Sequence, residues 1–214
     1  MPFCPHQHQT LYVDEHIIVV AKPHGLLSVP GRLKENSDSL VSRVQVEYPQ
    51  ALIVHRLDCE TSGLMVLAMN AQCHKQLSAQ FANREVEKGY IAVVAGMPKT
   101  AKGSIDLPLI CDWPNRPRQK VCHEDGKPSL THYEVLAQDP IDHSSRIALT
   151  PHTGRSHQLR VHMAALGHPI LGDEFYADED SFNKVSRMLL HAQTLSFTHP
   201  ISGEMLNFEH PAEF

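Results

Sequence analysis

The chain has 214 residues, 42% of them hydrophobic and 20% charged, with a formal net charge of −5. This is the composition of a globular protein that buries about 70% of its unfolded surface, not of a disordered polyelectrolyte. No apolar run approaches the roughly 20 residues of a membrane helix, and five scattered cysteines without a Cys-x-x-Cys pair argue against a disulfide framework. Met1 to Thr10 has neither a basic n-region nor an apolar h-region, so a cytoplasmic protein with free thiols is expected. The acidic total is unevenly placed. Residues 173–214 hold eight acids against Lys184 and Arg187, leaving 17 basic and 16 acidic residues in the rest. Two stretches, Arg116 to Lys120 and His152 to His168, are locally basic, and a local basic surface is what phosphate contacts need.

In chain order, residues 10–22 predict a hairpin turning at Asp14-Glu15-His16 and stopped by Lys22-Pro23-His24-Gly25. Residues 38–48 predict a helix, capped by Ser37 or Asp38 and ended by Pro49. Leu64 to Met69 predicts a buried strand. Ala71 to Asn83 predicts an amphipathic helix with Cys73, Leu77 and Phe81 on one face. Tyr90 to Ala95, Thr131 to Leu136 and Arg146 to Thr150 predict strands, with an irregular, Pro- and charge-rich excursion from Leu107 to Pro128 between them. Ser156 to Leu166 predicts a helix ending at Gly167. Leu189 to Thr198 and Glu204 to Phe208 predict a closing hairpin. Strands outnumber helices and short turns join several of them, so the fold class is α+β, with a mixed, largely antiparallel central sheet flanked by helices. The length suggests one domain.

Three strings carry chemistry. His55-Arg56-Leu57-Asp58-Cys59-Glu60-Thr61-Ser62-Gly63 is a polar loop between two apolar runs. Arg56 and Asp58, two apart, project from one face of an extended segment, and a guanidinium favours an ionised carboxylate. Taken alone, that is as well an ordinary ion pair at a turn. Cys59 has no activating partner nearby, so a catalytic thiol is not expected. His152 to His162 (His-Thr-Gly-Arg-Ser-His-Gln-Leu-Arg-Val-His) places Arg155 at the mouth of a helix, where the helix dipole disfavours a cation and a functional reason is needed. His157 and His162, five apart, point roughly 140° from one another, so they do not form a helical metal pair. Cys4-x-His6-x-His8 sits at a terminus expected to fray. No metal is expected. Phosphate-loop, nucleophile-elbow and dinucleotide fingerprints are missing, so no nucleotide cofactor is expected.

The first string resembles the His-Arg-Leu-Asp-x-x-Thr-Ser-Gly signature of RluA-type pseudouridine synthases. The second resembles that family's Gly-Arg-x-His-Gln-(Ile/Leu)-Arg-x-His motif. Lys88-Gly89-Tyr90, Leu189-Leu190-His191-Ala192 and Lys22-Pro23-x-Gly25 match further elements. The resemblance implies a cofactor-independent enzyme that isomerises uridine in RNA. Asp58 would be the nucleophile, Arg155 its ion-pair partner, and Tyr90 the wall of the base pocket and acceptor of the C5 proton. Arg56, Leu190 and His55 would contact the substrate, with Arg56 filling the space left by a flipped base. Arg160, Trp113, Arg116 and Arg118 are candidates for RNA contacts, Trp113 by stacking. Gly25 to Arg32, Leu107 to Val121 and Gly167 to Asp173 resemble the branch that acts on both 23S rRNA and the anticodon stem-loop of tRNA. The first strand begins within about ten residues, so no S4-like RNA-binding domain is expected before it: one catalytic domain over 1–214, acting as a monomer. Two other readings of Asp58 stay open, a hydrolase with a general base and a non-catalytic RNA-binding protein. So does the route, whether attack at C1′, addition at C6 or a glycal-forming elimination.

Overall fold

The computed structural model describes residues 4–31, 33 and 36–214. Arg32, the end of the Gly25 string, lies outside the described residues, as do Met1, Pro2 and Phe3. The chain forms two compact units, Met1–Lys88 with Ala192–Glu213, and Gly89–His191 with Phe214. The fold is α+β with a mostly antiparallel sheet. No helix among the described residues is long and apolar enough to cross a membrane.

In the first unit, β1 (Gln9–Val13), β2 (Ile17–Lys22) and β4 (Ser62–Ala68) lie side by side, with β11 (Leu190–Thr198) beyond β4 and β12 (Met205–Glu209) on β11. Short β3 (Leu52–Ile53) also pairs with β4. Every residue of β2 and β4 is buried, which explains their unbroken apolar runs. Helix α2 (Ala71–Asn83) follows β4 with the expected bounds, capped by Asn70, which accepts the Cys73 N–H at 2.9 Å. Cys73 and Leu77 join Ile17, Val19, Leu64, Val66 and Phe197 in the core, and Phe81 packs on its margin. Helix α1 (Leu40–Glu47) is capped one residue later than expected. Ser39 and Ser42 form a reciprocal capping box, while Asp38 instead takes both Nε and Nη2 of Arg43 at 2.7 Å.

In the second unit the order is β5 (Glu87–Ala95), β10 (Ser144–Pro151), β9 (Leu130–Asp139) and β6 (Lys102–Asp106), each neighbouring pair antiparallel. Ala92, Val94, Tyr133, Ile147 and Leu149 from these strands pack against Leu159 and Met163 of α3 (Gln158–Ala165). Strand β6 escapes the sequence pattern because Lys-Gly-Ser-Ile-Asp has little strand propensity. Gly103 is required there, since a Cβ would stand 2.7 Å from the Tyr133 ring. Contrary to the expected irregular excursion, the Leu107–Pro128 segment contains regular structure. It folds into a small arm, with β7 (Leu109–Cys111) and β8 (Gln119–Val121) paired antiparallel around a 3-10 turn at Trp113–Asn115. Three-residue strands are too short to show alternation in the sequence. A short helix, α4 (Glu179–Asn183), also went unforeseen.

The chain leaves the first unit inside β5 and re-enters it inside β11. Gly63, last in the first motif, has φ +115°, and a Cβ there would meet the carbonyl oxygen of Ala192 at 2.3 Å and its nitrogen at 2.6 Å. Two distant motifs thus touch through backbone. Gly63→Ala should lose roughly 3 kcal/mol or more of stability, or fail to fold, because neither backbone can retreat. Urea denaturation followed by circular dichroism checks this, and a near-native midpoint would contradict it.

Candidate active site

Asp58 lies in the first unit, in the irregular segment that turns into β4, and is half-buried. Its neighbours are fixed on both sides. Before it, the Leu57 N–H donates to the Ser28 hydroxyl at 3.0 Å, and that hydroxyl donates to the Leu57 carbonyl at 2.7 Å. After it, the Lys22 ammonium donates to the Cys59 carbonyl at 2.9 Å. The same ammonium reaches the carbonyls of Pro23 at 2.8 Å and Leu26 at 2.7 Å, and Lys22 is only 1% exposed. Burial pushes its pKa down to about 8, against the opposing pull of Cys59, Glu60 and Asp58. The Thr61 N–H closes the turn on the Asp58 carbonyl at 3.2 Å. A carboxylate on backbone held this way has little freedom to lose on meeting a substrate.

Two neighbours of Asp58 behave differently from one another. Arg56 is exposed to solvent. His55, expected to contact substrate, turns inward instead: its Nε2 accepts the Val66 N–H at 3.1 Å, and its ring stacks on Phe81 with centroids 4.4 Å apart. Burial, then the Lys88 ammonium, push its pKa down to about 3, so the ring is neutral and serves β4. Burial likewise pushes the Cys59 thiol up to about 11, the wrong direction for a nucleophilic sulfur.

The other predicted residues lie in the second unit. Tyr90 on β5 stands opposite Leu149 on β10 and packs on the cluster that contains Leu190. Arg155 is exposed, on the loop that enters α3. That loop is fixed by Gln158. Its Oε1 accepts from the Thr153 hydroxyl at 2.7 Å and the Arg155 N–H at 3.0 Å, while its Nε2 donates to the Leu130 carbonyl and the Thr131 hydroxyl, each at 3.0 Å. Thr131 also meets His162 Nδ1 at 2.9 Å, and His162 Nε2 meets the Leu107 carbonyl at 3.1 Å. A carbonyl only accepts, so Nε2 carries the His162 proton and Thr131 donates to Nδ1. Burial lowers the His162 pKa and favours this neutral form. Every proton in the chain from Leu107 to Arg155 therefore has a direction.

Arg160, expected to reach phosphate, is buried. Its Nε and Nη2 bind the Asp173 carboxylate at 2.7 and 2.6 Å, and a 3% exposed guanidinium so engaged is a structural cation. Trp113, Arg116 and Arg118 are exposed on the arm. The Arg116 guanidinium lies 4.4 Å over the Trp113 ring, a flat cationic surface suited to stacking an unpaired base. Elsewhere in this unit a groove of about 440 Å³ runs past Lys102, Ser104, His132, Glu134 and Thr150, and no predicted site residue lines it. Sequence reasoning missed Ser28 and Gln158. Gln158 had a signal, since a residue three places after a loop N–H can fold back on it as in a capping box.

Comparisons with known proteins agree with these motifs. A family model described as RNA pseudouridylate synthase matches residues 16–165. The chain is 56% identical over 204 residues to the dual-specificity RNA pseudouridine synthase RluA of Escherichia coli K12, covering 95% of this chain and 93% of that one. It is 53% identical over 209 residues to the protein of that name in Vibrio vulnificus, covering 96% and 84%. Among solved structures, human RNA pseudouridylate synthase domain containing 1 is similar at TM-score 0.83 and 29% identity, over all of this chain and 87% of the other.

The His55 interaction makes stability depend on acid. Unfolded, this histidine takes up its proton near pH 6.5, but folded only near 3, so stability is complete above 6.5 and falls as the pH drops through that window. About 2 kcal/mol should be lost at pH 5 through this residue. Urea midpoints at pH 7.5 and 5 should therefore converge in His55→Gln; an unchanged pH dependence would contradict the assignment.

Proposed function

The chain belongs to the RNA pseudouridine synthase family, whose activity is the isomerisation of uridine in RNA, and from that premise we propose that Asp58 is its nucleophile. The supporting observation is the fixation of the backbone on both sides of Asp58, at Leu57 by Ser28 and at Cys59 by Lys22, which holds the residue in a defined place. The reaction breaks the N1–C1′ bond, turns the uracil and rejoins it through C5. It exchanges one bond to C1′ for another with no net redox change, so no cofactor is required. A carboxylate suits it because it can attack carbon and later leave, dividing one hard step into easier ones.

Arg155 is proposed as the ion-pair partner that keeps Asp58 charged and oriented, with Gln158 setting the backbone from which it reaches. Tyr90 and Leu190, which pack on one cluster, would wall the uracil, with Tyr90 taking the C5 proton. The target must leave its stack, at a cost of a few kcal/mol that is least in a loop. Exposed Arg56 would occupy the vacated space. Trp113, Arg116 and Arg118 would hold RNA away from the reacting base. The relatives' dual-specificity name, taken with the motif resemblance, supports 23S rRNA and the anticodon stem-loop of tRNA as substrates. The working unit is a cytoplasmic monomer with one catalytic domain.

Transcripts tritiated at uridine C5 test this directly: isomerisation releases tritium to water and leaves the chain intact. Asp58→Asn should reduce release below detection while keeping RNA affinity within about threefold. Substantial turnover by a folded Asp58→Asn protein would remove Asp58 from the role, and free uracil as product would indicate a hydrolase. Arg116→Ala should weaken binding to any stem-loop and lower the slope of log affinity against log salt by about one. An unchanged slope would take Arg116 out of the phosphate contacts.

A further inference from the structure

The Tyr176 hydroxyl joins the arm that carries Trp113 and Arg116 to the start of α3. The Gln119 N–H on β8 donates to the Tyr176 hydroxyl at 2.7 Å. That hydroxyl also meets His157 Nδ1 at 2.8 Å. A backbone N–H only donates, so the phenol accepts from Gln119, and the same oxygen is hydrogen-bonded to the His157 ring. His157 is the residue at which α3 begins, held at φ +54°, its ring stacked 5.7 Å from that of Phe175.

Tyr176 is itself firmly seated. The Asp173 carboxylate accepts the N–H groups of Phe175 at 2.9 Å and Tyr176 at 3.3 Å while binding Arg160 of α3. The Arg160 guanidinium lies 5.1 Å over the Phe175 ring and 5.3 Å over that of Tyr176. From the arm, Arg118 lies 5.7 Å over Phe175. On the far side of His157, Gln158 holds the Arg155 N–H at 3.0 Å and donates its own N–H to the Arg155 carbonyl at 3.2 Å. Two hydrogen bonds thus join the arm to His157, and its covalent neighbour Gln158 is hydrogen-bonded to the backbone of Arg155. A phenylalanine at 176 would keep the ring's packing; the hydroxyl supplies the hydrogen bonds to Gln119 and His157.

We infer that Tyr176 is a positioning residue, whose hydroxyl couples RNA held on the arm to the loop that presents Arg155. The inference rests on the proposed roles of the arm and of Arg155, and its test is chosen to fail separately from them. Tyr176→Phe keeps the ring and its cation contacts and removes the bridge. In RNA-free protein, hydrogen exchange should quicken roughly tenfold both in the arm (112–121) and in residues 154–158, since a bridge worth about 1 kcal/mol or somewhat more is lost. With a tRNA stem-loop, the single-turnover rate at saturating enzyme should fall roughly tenfold while affinity changes less than about threefold. His157→Asn keeps a side chain that can hydrogen-bond the hydroxyl and tolerates the positive φ, so it should retain the rate within about threefold where His157→Leu does not. Exchange confined to the arm, or a loss seen only in affinity, would overturn the coupling. Should the wild-type protein release no tritium, the proposed function fails, and the exchange comparison still decides whether the bridge links the two segments.

Discussion

A buried ammonium organises the segment on which everything proposed for Asp58 depends. Lys22 ends β2, and burial there would ordinarily favour a neutral amine. Three carbonyls, from Pro23, Leu26 and Cys59, converge on it instead and replace the water it gave up. Its attraction to the acids of the Asp58 loop then works in a medium where charges are felt strongly. The arrangement ties a turn at the end of one strand to a loop at the start of another, 37 residues later. Ser28 completes it from the other direction, spending both halves of one hydroxyl on a single residue, Leu57.

The second unit meets a similar demand without charge. Gln158, Thr131, Thr153 and neutral His162 form a network in which each donor faces an acceptor. Both arrangements fix the backbone behind a proposed working residue: Gln158 holds the N–H of exposed Arg155. Buried polar groups satisfied throughout are rigid, and partly satisfied they would be costly. That is why the supporting residues are buried deeper than those they support.

How much of this could be read from the sequence follows from range. Helix α2 was legible to the residue because its cap, apolar face and end are all local. The motif strings gave the family for the same reason, and with it the proposal for Asp58. The burial of His55 and Arg160 was not legible because their partners, Val66 with Phe81 and Asp173, lie 10 or more residues away. A cation in a basic motif looks the same on paper whether it faces phosphate or a buried carboxylate. The arm was hidden by the brevity of its strands, and β6 by a composition that Tyr133 and β9 override. Gly63 read as a turn former, whereas its stricter constraint comes from the backbone of Ala192, which no local rule reveals.

The raised thiol pKa of Cys59 has a consequence for the environment the protein can tolerate. With its proton held to about 11, the sulfur next to Asp58 is thiolate in only about one molecule in ten thousand at neutral pH. Peroxides, disulfides and alkylating agents all react through the thiolate. The segment around Asp58 is therefore chemically quiet toward oxidants despite carrying a cysteine, and oxidative stress has no ready handle on it there.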